Sequence, residues 1–138
     1  MVWSPLASGF LSGKYTRQDP TGGKGRIADF DFLPIDRERG YDLIEKMRGI
    51  AQRHNSSPAQ VALAWLLAKP FVSSILLGAS KVSQLEDNLA AANVQLTANE
   101  LAELATLTAP VAIYPNWFQA KTHDPAASAA LGKKNATT

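Results

Sequence analysis

Residues 58–68, PAQVALAWLLA, constrain the fold of this chain more than any other stretch. Ser57, Pro58 and Gln60 form a strong helix start, with serine at the cap, proline at the first helical position and glutamine at the third. From Val61 to Ala68 the helix is apolar nearly all the way round, and Lys69-Pro70 stops it. A helix with no polar face to give to water has to be buried among other elements. The rest of the chain must therefore supply cover on several sides.

The elements around it set the fold class. Residues 1–4 read as the end of a strand, closed by Ser4-Pro5 because a residue before proline is pushed into extended geometry. Residues 5–40 hold six of the nine glycines together with Pro20 and Pro34, and read as a long loop. Leu43, Ile44, Met47, Ile50 and Ala51 recur at helical spacing and predict a helix over 41–53. VSSILL at 72–77 predicts a short strand ended by Gly78, and 82–92 predicts a helix. Thr97 and Glu100 make a capping box flanked by Leu96 and Leu101, opening a helix over 98–107 whose Leu101, Leu104 and Leu107 face the core. From Pro110 to residue 138 the tail reads as irregular, and YPNWF (114–118) either lines a pocket rim or packs on the fold.

Strand, helices, strand, helices is the order of a parallel crossover, so the class is α/β. Two short parallel strands are too few to cover the 58–68 helix, because parallel sheets are normally buried on both faces. The expectation is a portion of a larger α/β fold.

Composition narrows the function. The chain has no cysteine and two histidines, His54 and His123, which removes thiolate chemistry and leaves no metal site. Its net charge of +2 comes from scattered Lys and Arg, so nucleic acid is not expected. The longest apolar run, Val61 to Ala68, falls far short of the roughly 20 residues of a membrane span. No basic segment precedes the first apolar residues, and a cytoplasmic protein without signal peptide or membrane insertion is expected.

Two stretches carry candidate chemistry. In LLGASKVSQLEDNL (76–89), Gly78 follows a strand and Ser80 precedes a helix it can cap. Gln84, Asp87 and Asn88 share a stripe with Ser80, while Val82, Leu85, Leu89 and Ala92 form an apolar stripe on another side. A helix N-terminus with a hydroxyl and nearby Lys81 suits a phosphate, and the two amides suit a purine edge or a ribose. A capping serine and solvated amides satisfy the same spacing. In WSPLASGFLSGK (3–14), the small residues Ala7, Ser8 and Gly9 let a backbone close on an anion, within reach of Lys14 and Arg26, and Trp3 offers a flat face. Each loop follows a predicted parallel strand. Both then sit at the carboxyl edge of one sheet, the edge at which α/β folds bind ligands.

These two motifs, with SPAQVALAWLLA between them, resemble the last third of an aldo/keto reductase over about residues 2–108, in the branch that holds stress-type reductases and potassium-channel β subunits. The resemblance implies a (β/α)8 TIM barrel of which this chain is the C-terminal part, about the last two strands with their helices, not closed by this chain alone. Residues 1–109 would be barrel and 110–138 tail. It implies an oxidoreductase that binds NADP(H) and reduces aldehydes or ketones by hydride transfer. Trp3 would stack on the nicotinamide, and Ser4, Pro5, Leu6, Ala7 and Ser8 would run along the pyrophosphate. Lys14 and Arg26 would meet the phosphates or the adenosine half, and Gly78, Ser80, Gln84, Asp87 and Asn88 the adenine end. Serine at 80, where many relatives carry arginine, would hold a 2′-phosphate less strongly.

No catalytic residue is assigned. The family's proton-donating tyrosine comes from earlier strands, and Tyr15, Tyr41 and Tyr114 do not match it by position. The chain alone is predicted to be inactive. Alternatives are a non-catalytic NADP(H)-binding or regulatory module and a nonfunctional fragment. Self-association, or a complementing chain, could cover the exposed strand edges.

Overall fold

The computed structural model describes residues 1–23, 34–111, 113–115, 117, 118 and 126. It divides into two units, Met1–Thr108 and Ala109–Thr138.

In the first unit, helix α1 spans Arg37–Arg53 and starts four residues before the predicted position. Asp36 caps it, its carboxylate accepting from the Arg39 N–H at 3.2 Å, and Glu38 sits in the first turn where the helix dipole favours an anion. Gly40 lies inside this helix because a side chain there would run into the ring of Phe10. Tyr41, Ile44, Met47, Ile50 and Ala51 form the buried face, as the spacing predicts.

Helix α2, Pro58–Leu67, is capped by Ser57, whose hydroxyl accepts from the Gln60 N–H at 3.2 Å. It touches α1, the 3-10 turns at Phe10–Ser12 and Ala91–Asn93, and helix α3 (Val82–Ala90), which is the cover its composition demands. Ala59 and Val61 to Ala64 are buried, whereas Leu67 remains 46% exposed.

Helix α4, Ala98–Thr108, begins with the predicted reciprocal box. Glu100 Oε2 accepts from the Thr97 N–H at 2.9 Å, and Thr97 Oγ1 accepts from the Glu100 N–H at 3.3 Å. Leu104 is buried, with Leu101 and Leu107 half-buried. The core gathers around Phe10, Tyr15, Tyr41 and α1, where Phe10 packs on Tyr15 at 5.7 Å and on Tyr41 at 5.5 Å between ring centroids.

The predicted strands at 1–4 and 72–77 shrink to one parallel bridge, Val2 with Ile75. Val2 N–H donates to the Ser74 carbonyl at 2.9 Å and Leu76 N–H to the Val2 carbonyl at 3.0 Å. Among the described residues no longer ladder forms, consistent with the marginal stability of two short strands on their own. The pairing direction is nevertheless the predicted one.

Helix α3, Val82–Ala90, is shorter than the predicted 82–92. It ends at Ala90 and tightens into the 3-10 turn Ala91–Asn93. The apolar stripe faces outward, with Val82 73%, Leu85 41% and Leu89 58% exposed, while Asn88 is buried. Asp87, which accepts hydrogen bonds from α2 described below, and Asn88 turn toward the protein, while Ser80 and Gln84 stay exposed.

In the second unit, Tyr114, Trp117 and Phe118 gather in edge-to-face and tilted contacts, with ring centroids 6.0 to 6.2 Å apart. Tyr114 is 70% exposed.

Candidate functional site

The Val2–Ile75 bridge sends two segments out in the same direction: Trp3 to Gly9 on one side and Leu76 to Ser80 on the other. Placing both at one edge was the main structural expectation from the sequence.

The first loop is tightly wound. Ser4, Ala7 and Ser8 have φ of 50, 48 and 57°, and Gly9 follows at 89°. Left-handed backbone of this kind costs non-glycine residues of order 1 kcal/mol each and persists only where its surroundings enforce it. Here the loop enforces it by bonding to itself. Ser4 Oγ accepts from the Ser8 N–H at 3.2 Å, and the Ala7 and Gly9 N–H groups reach the Ser4 and Leu6 carbonyls, each at 2.9 Å. The N–H groups of Phe10, Leu11 and Ser12 are likewise taken within the turn, each at 3.1 Å. The amides from Ala7 to Ser12 therefore do not form the open anion cradle expected from the small residues. Lys14 brings a cation to this loop, and Arg48 a second at its end, donating to the Gly13 carbonyl. Lys14 Nζ folds back 5.1 Å over the Tyr15 ring, and would stand 3.8 Å from a Cβ at Gly9. Trp3 is 66% exposed beside the bridge.

Lys14 stands on a rigid base. Tyr15 is fully buried, and Arg17 pairs with Glu38 at 3.0 Å, Asp42 at 2.6 Å and Glu45 at 3.1 Å on α1. Hydrogen bonds to Asp42, then Glu38, hold the Arg17 pKa above its usual range. The sequence reading missed this clamp. Its signal was the acidic spacing of Glu38, Asp42 and Glu45 along one helix face, which calls for a cation without saying which.

The second loop pairs Ser80 with Gln84. Ser80 N–H and Oγ–H both donate to Gln84 Oε1, at 3.2 and 3.1 Å. Ser80 thus does not cap α3 as expected. Lys81 occupies the cap position, with no side-chain hydrogen bond. With its carbonyl oxygen so engaged, Gln84 keeps Nε2 as its donor toward a ligand. Gly78 is exposed, with nothing within 4 Å of where a side chain would begin.

The remaining expected contacts are not brought to this edge. Asp87 Oδ2 accepts from Ser57 Oγ at 2.8 Å and Oδ1 from Gln60 Nε2 at 2.7 Å. Asn88 lies in an apolar groove lined by Leu63, Leu67, Ile75, Leu77 and Leu89. Four residues expected on one stripe thus split three ways: Ser80 with Gln84, Asp87 on α2, Asn88 in the groove. Pro5, Leu6, Ala7 and Ser8 are half-buried in the first loop, and Leu6 and Ala7 pack on the core. Arg26 and His123 lie outside the described residues.

His54, expected at a surface helix end, closes α1 but is half-buried, its Nε2 2.9 Å from Glu100 Oε2. Glu100 also pairs with Arg53 at 2.9 Å. Burial pushes the Glu100 carboxyl up, but the Thr97 N–H, His54 and Arg53 together outweigh it and hold the pKa at about 2. Among the described residues, no three His, Asp or Glu side chains converge to hold a metal, and no helix is long and apolar enough to cross a membrane.

Comparison with known proteins agrees with the motifs. A model of the aldo/keto reductase family matches residues 1–109. An uncharacterized oxidoreductase of Mycobacterium tuberculosis is 43% identical over 98 residues, covering 71% of this chain and 30% of the relative. An aldo-keto reductase of Strobilurus tenacellus is 33% identical over 112 residues, covering 78% of this chain and 32% of the relative. A putative voltage-gated potassium channel subunit beta of Schizosaccharomyces pombe is 38% identical over 95 residues, covering 65% and 27%. The chain thus spans about 30% of the length of the curated relatives it matches.

Proposed function

Because the chain belongs to the aldo/keto reductase family, whose (β/α)8 barrels generally use NAD(P)H, we propose that the two loops leaving the Val2–Ile75 bridge hold one NADP(H) molecule between them. The observation that carries this reading is the bridge itself, since it gives both loops a common edge. Trp3 would lie against the nicotinamide, Lys14 would meet the diphosphate, and Gln84 Nε2 would donate at the adenosine end, with Lys81 nearby for a 2′-phosphate. When bound, the cofactor supplies hydride for the carbonyl of an aldehyde or ketone. This chain's residues bind and orient it. The first loop's self-bonded backbone and the Arg17 clamp hold the backbone on either side of Lys14 before the ligand arrives, which lowers the ordering cost of binding.

No residue of the chain is assigned as proton donor. Tyr15 and Tyr41 are core side chains, 0% and 5% exposed, and Tyr114 does not match the family's proton donor by position. The proposed activity, carbonyl reduction, is therefore that of a longer barrel to which this site contributes. A second reading, a cofactor-holding module that works on a partner, is supported by the likeness to the potassium channel subunit. Exposed Trp3, Phe71, Val82 and Leu89 offer apolar surface for a complementing chain or a second copy.

Titration of NADPH into the 138-residue chain tests the reading by quenching of tryptophan fluorescence. Saturable quenching is expected, and Trp3→Phe should remove most of it while binding persists by NADPH emission. Lys14→Gln should weaken affinity about tenfold, the loss of one charge-assisted contact worth roughly 1.4 kcal/mol. A folded chain with no saturable response contradicts the proposal.

A further inference from the structure

The carboxylate of Asp87 has both oxygens occupied by a neighbouring helix. Ser57 Oγ donates to one at 2.8 Å and Gln60 Nε2 to the other at 2.7 Å. Ser57 is also the cap of α2, accepting the Gln60 N–H, so the carboxylate closes a three-residue network at the positive end of that helix. Little else seats α3. Its first turn has no side-chain cap, and Val82, Leu85 and Leu89 are exposed, leaving Asn88 as the buried side chain of the helix.

We infer that Asp87 is a positioning residue: it brackets α3 onto the N-terminus of α2, and through that helix fixes Gln84, rather than reading a nucleobase itself. Each oxygen keeps a further lone pair, but turning the carboxylate away from α2 to meet a base at the loop edge would break its bonds there and leave Ser57 or Gln60 without its acceptor. Gln84 lies three residues earlier on the same helix, so any tilt of α3 moves the Ser80–Gln84 pair with it. The bracket rests on geometry alone, whereas its bearing on the ligand rests on the NADP(H) reading above.

Two variants from opposite sides of the contact, Asp87→Asn and Gln60→Met, test it in one experiment. Each is unfolded in urea singly and combined, then titrated with NADPH and with its hypoxanthine counterpart, which lacks the adenine amino group. The expected result is strong coupling, with the double variant scarcely less stable than Asp87→Asn alone. Both single variants should weaken the two dinucleotides in parallel, about fivefold, leaving their ratio at the wild-type value. Additive stability losses overturn the bracket. A ratio that changes in Asp87→Asn while Gln60→Met is silent overturns the positioning role and makes Asp87 a base-reading group. If the wild-type chain binds neither dinucleotide, the NADP(H) reading falls, and the unfolding cycle still decides the bracket.

Discussion

Gly40→Ala will lower the stability of the chain by about 2 kcal/mol, although alanine is the better helix former. Alanine within a helix normally gains up to about 1 kcal/mol over glycine. At this position a Cβ would stand 2.9 Å from Phe10 Cζ and closer still to Cε1. The ring cannot swing aside, because Phe10 is 1% exposed and held between Tyr15 and Tyr41. Overpacking a dense core costs roughly 1–3 kcal/mol, and here that outweighs propensity. Urea unfolding measures the difference, and Phe10→Leu in the same chain should recover part of it by making room. A Gly40→Ala chain as stable as the wild type would mean that the Phe10 ring is not locked.

The second large effect is loss of stability in acid. Glu100 has its pKa lowered from 4.5 to about 2 in the folded chain. A depressed carboxyl pKa stabilises the fold above the unfolded value and ceases to do so as pH falls through the folded one. The shift corresponds to about 3 kcal/mol, present at neutral pH and lost progressively between roughly pH 5 and pH 2. Because the Arg53 side chain is 57% exposed, solvent weakens its share, and the contacts to Thr97 and His54 matter more. Glu100→Gln should be less stable than the wild type at pH 7 and converge with it toward pH 2. A constant gap between the two across that window would contradict the assignment.

Local chemistry was legible in the sequence wherever partners lie close along the chain. Ser57, Pro58 and Gln60 mark the start of α2, and Thr97 with Glu100 marks α4, because each cap is satisfied within three residues. The parallel sense of Val2 and Ile75 followed from the crossover order. What depended on distant partners was not legible. Gly40 made residues 37–40 read as loop, since the packing of Phe10 against that glycine cannot be seen locally. The stripe of α3 follows from its own amphipathicity, but Asp87 finds Ser57 and Gln60 thirty and twenty-seven residues back, which turns Asp87 inward and leaves Ser80 and Gln84 exposed. Ala7 to Gly9 looked like an anion cradle, yet the same small residues allow the loop to use its amides on itself. Of the expected site, Trp3, Lys14, Ser80 and Gln84 keep positions from which they can serve a ligand, while Asp87 and Asn88 are placed elsewhere.

Amide chemical-shift mapping during an NADPH titration tests most directly whether the two loops form one site. A single site predicts that residues 3–9, Lys14 and residues 78–84 shift together along one saturation curve, and that Lys14→Gln weakens the response in both loops equally. Shifts confined to one loop, or two loops that saturate at different concentrations, would contradict a shared dinucleotide site.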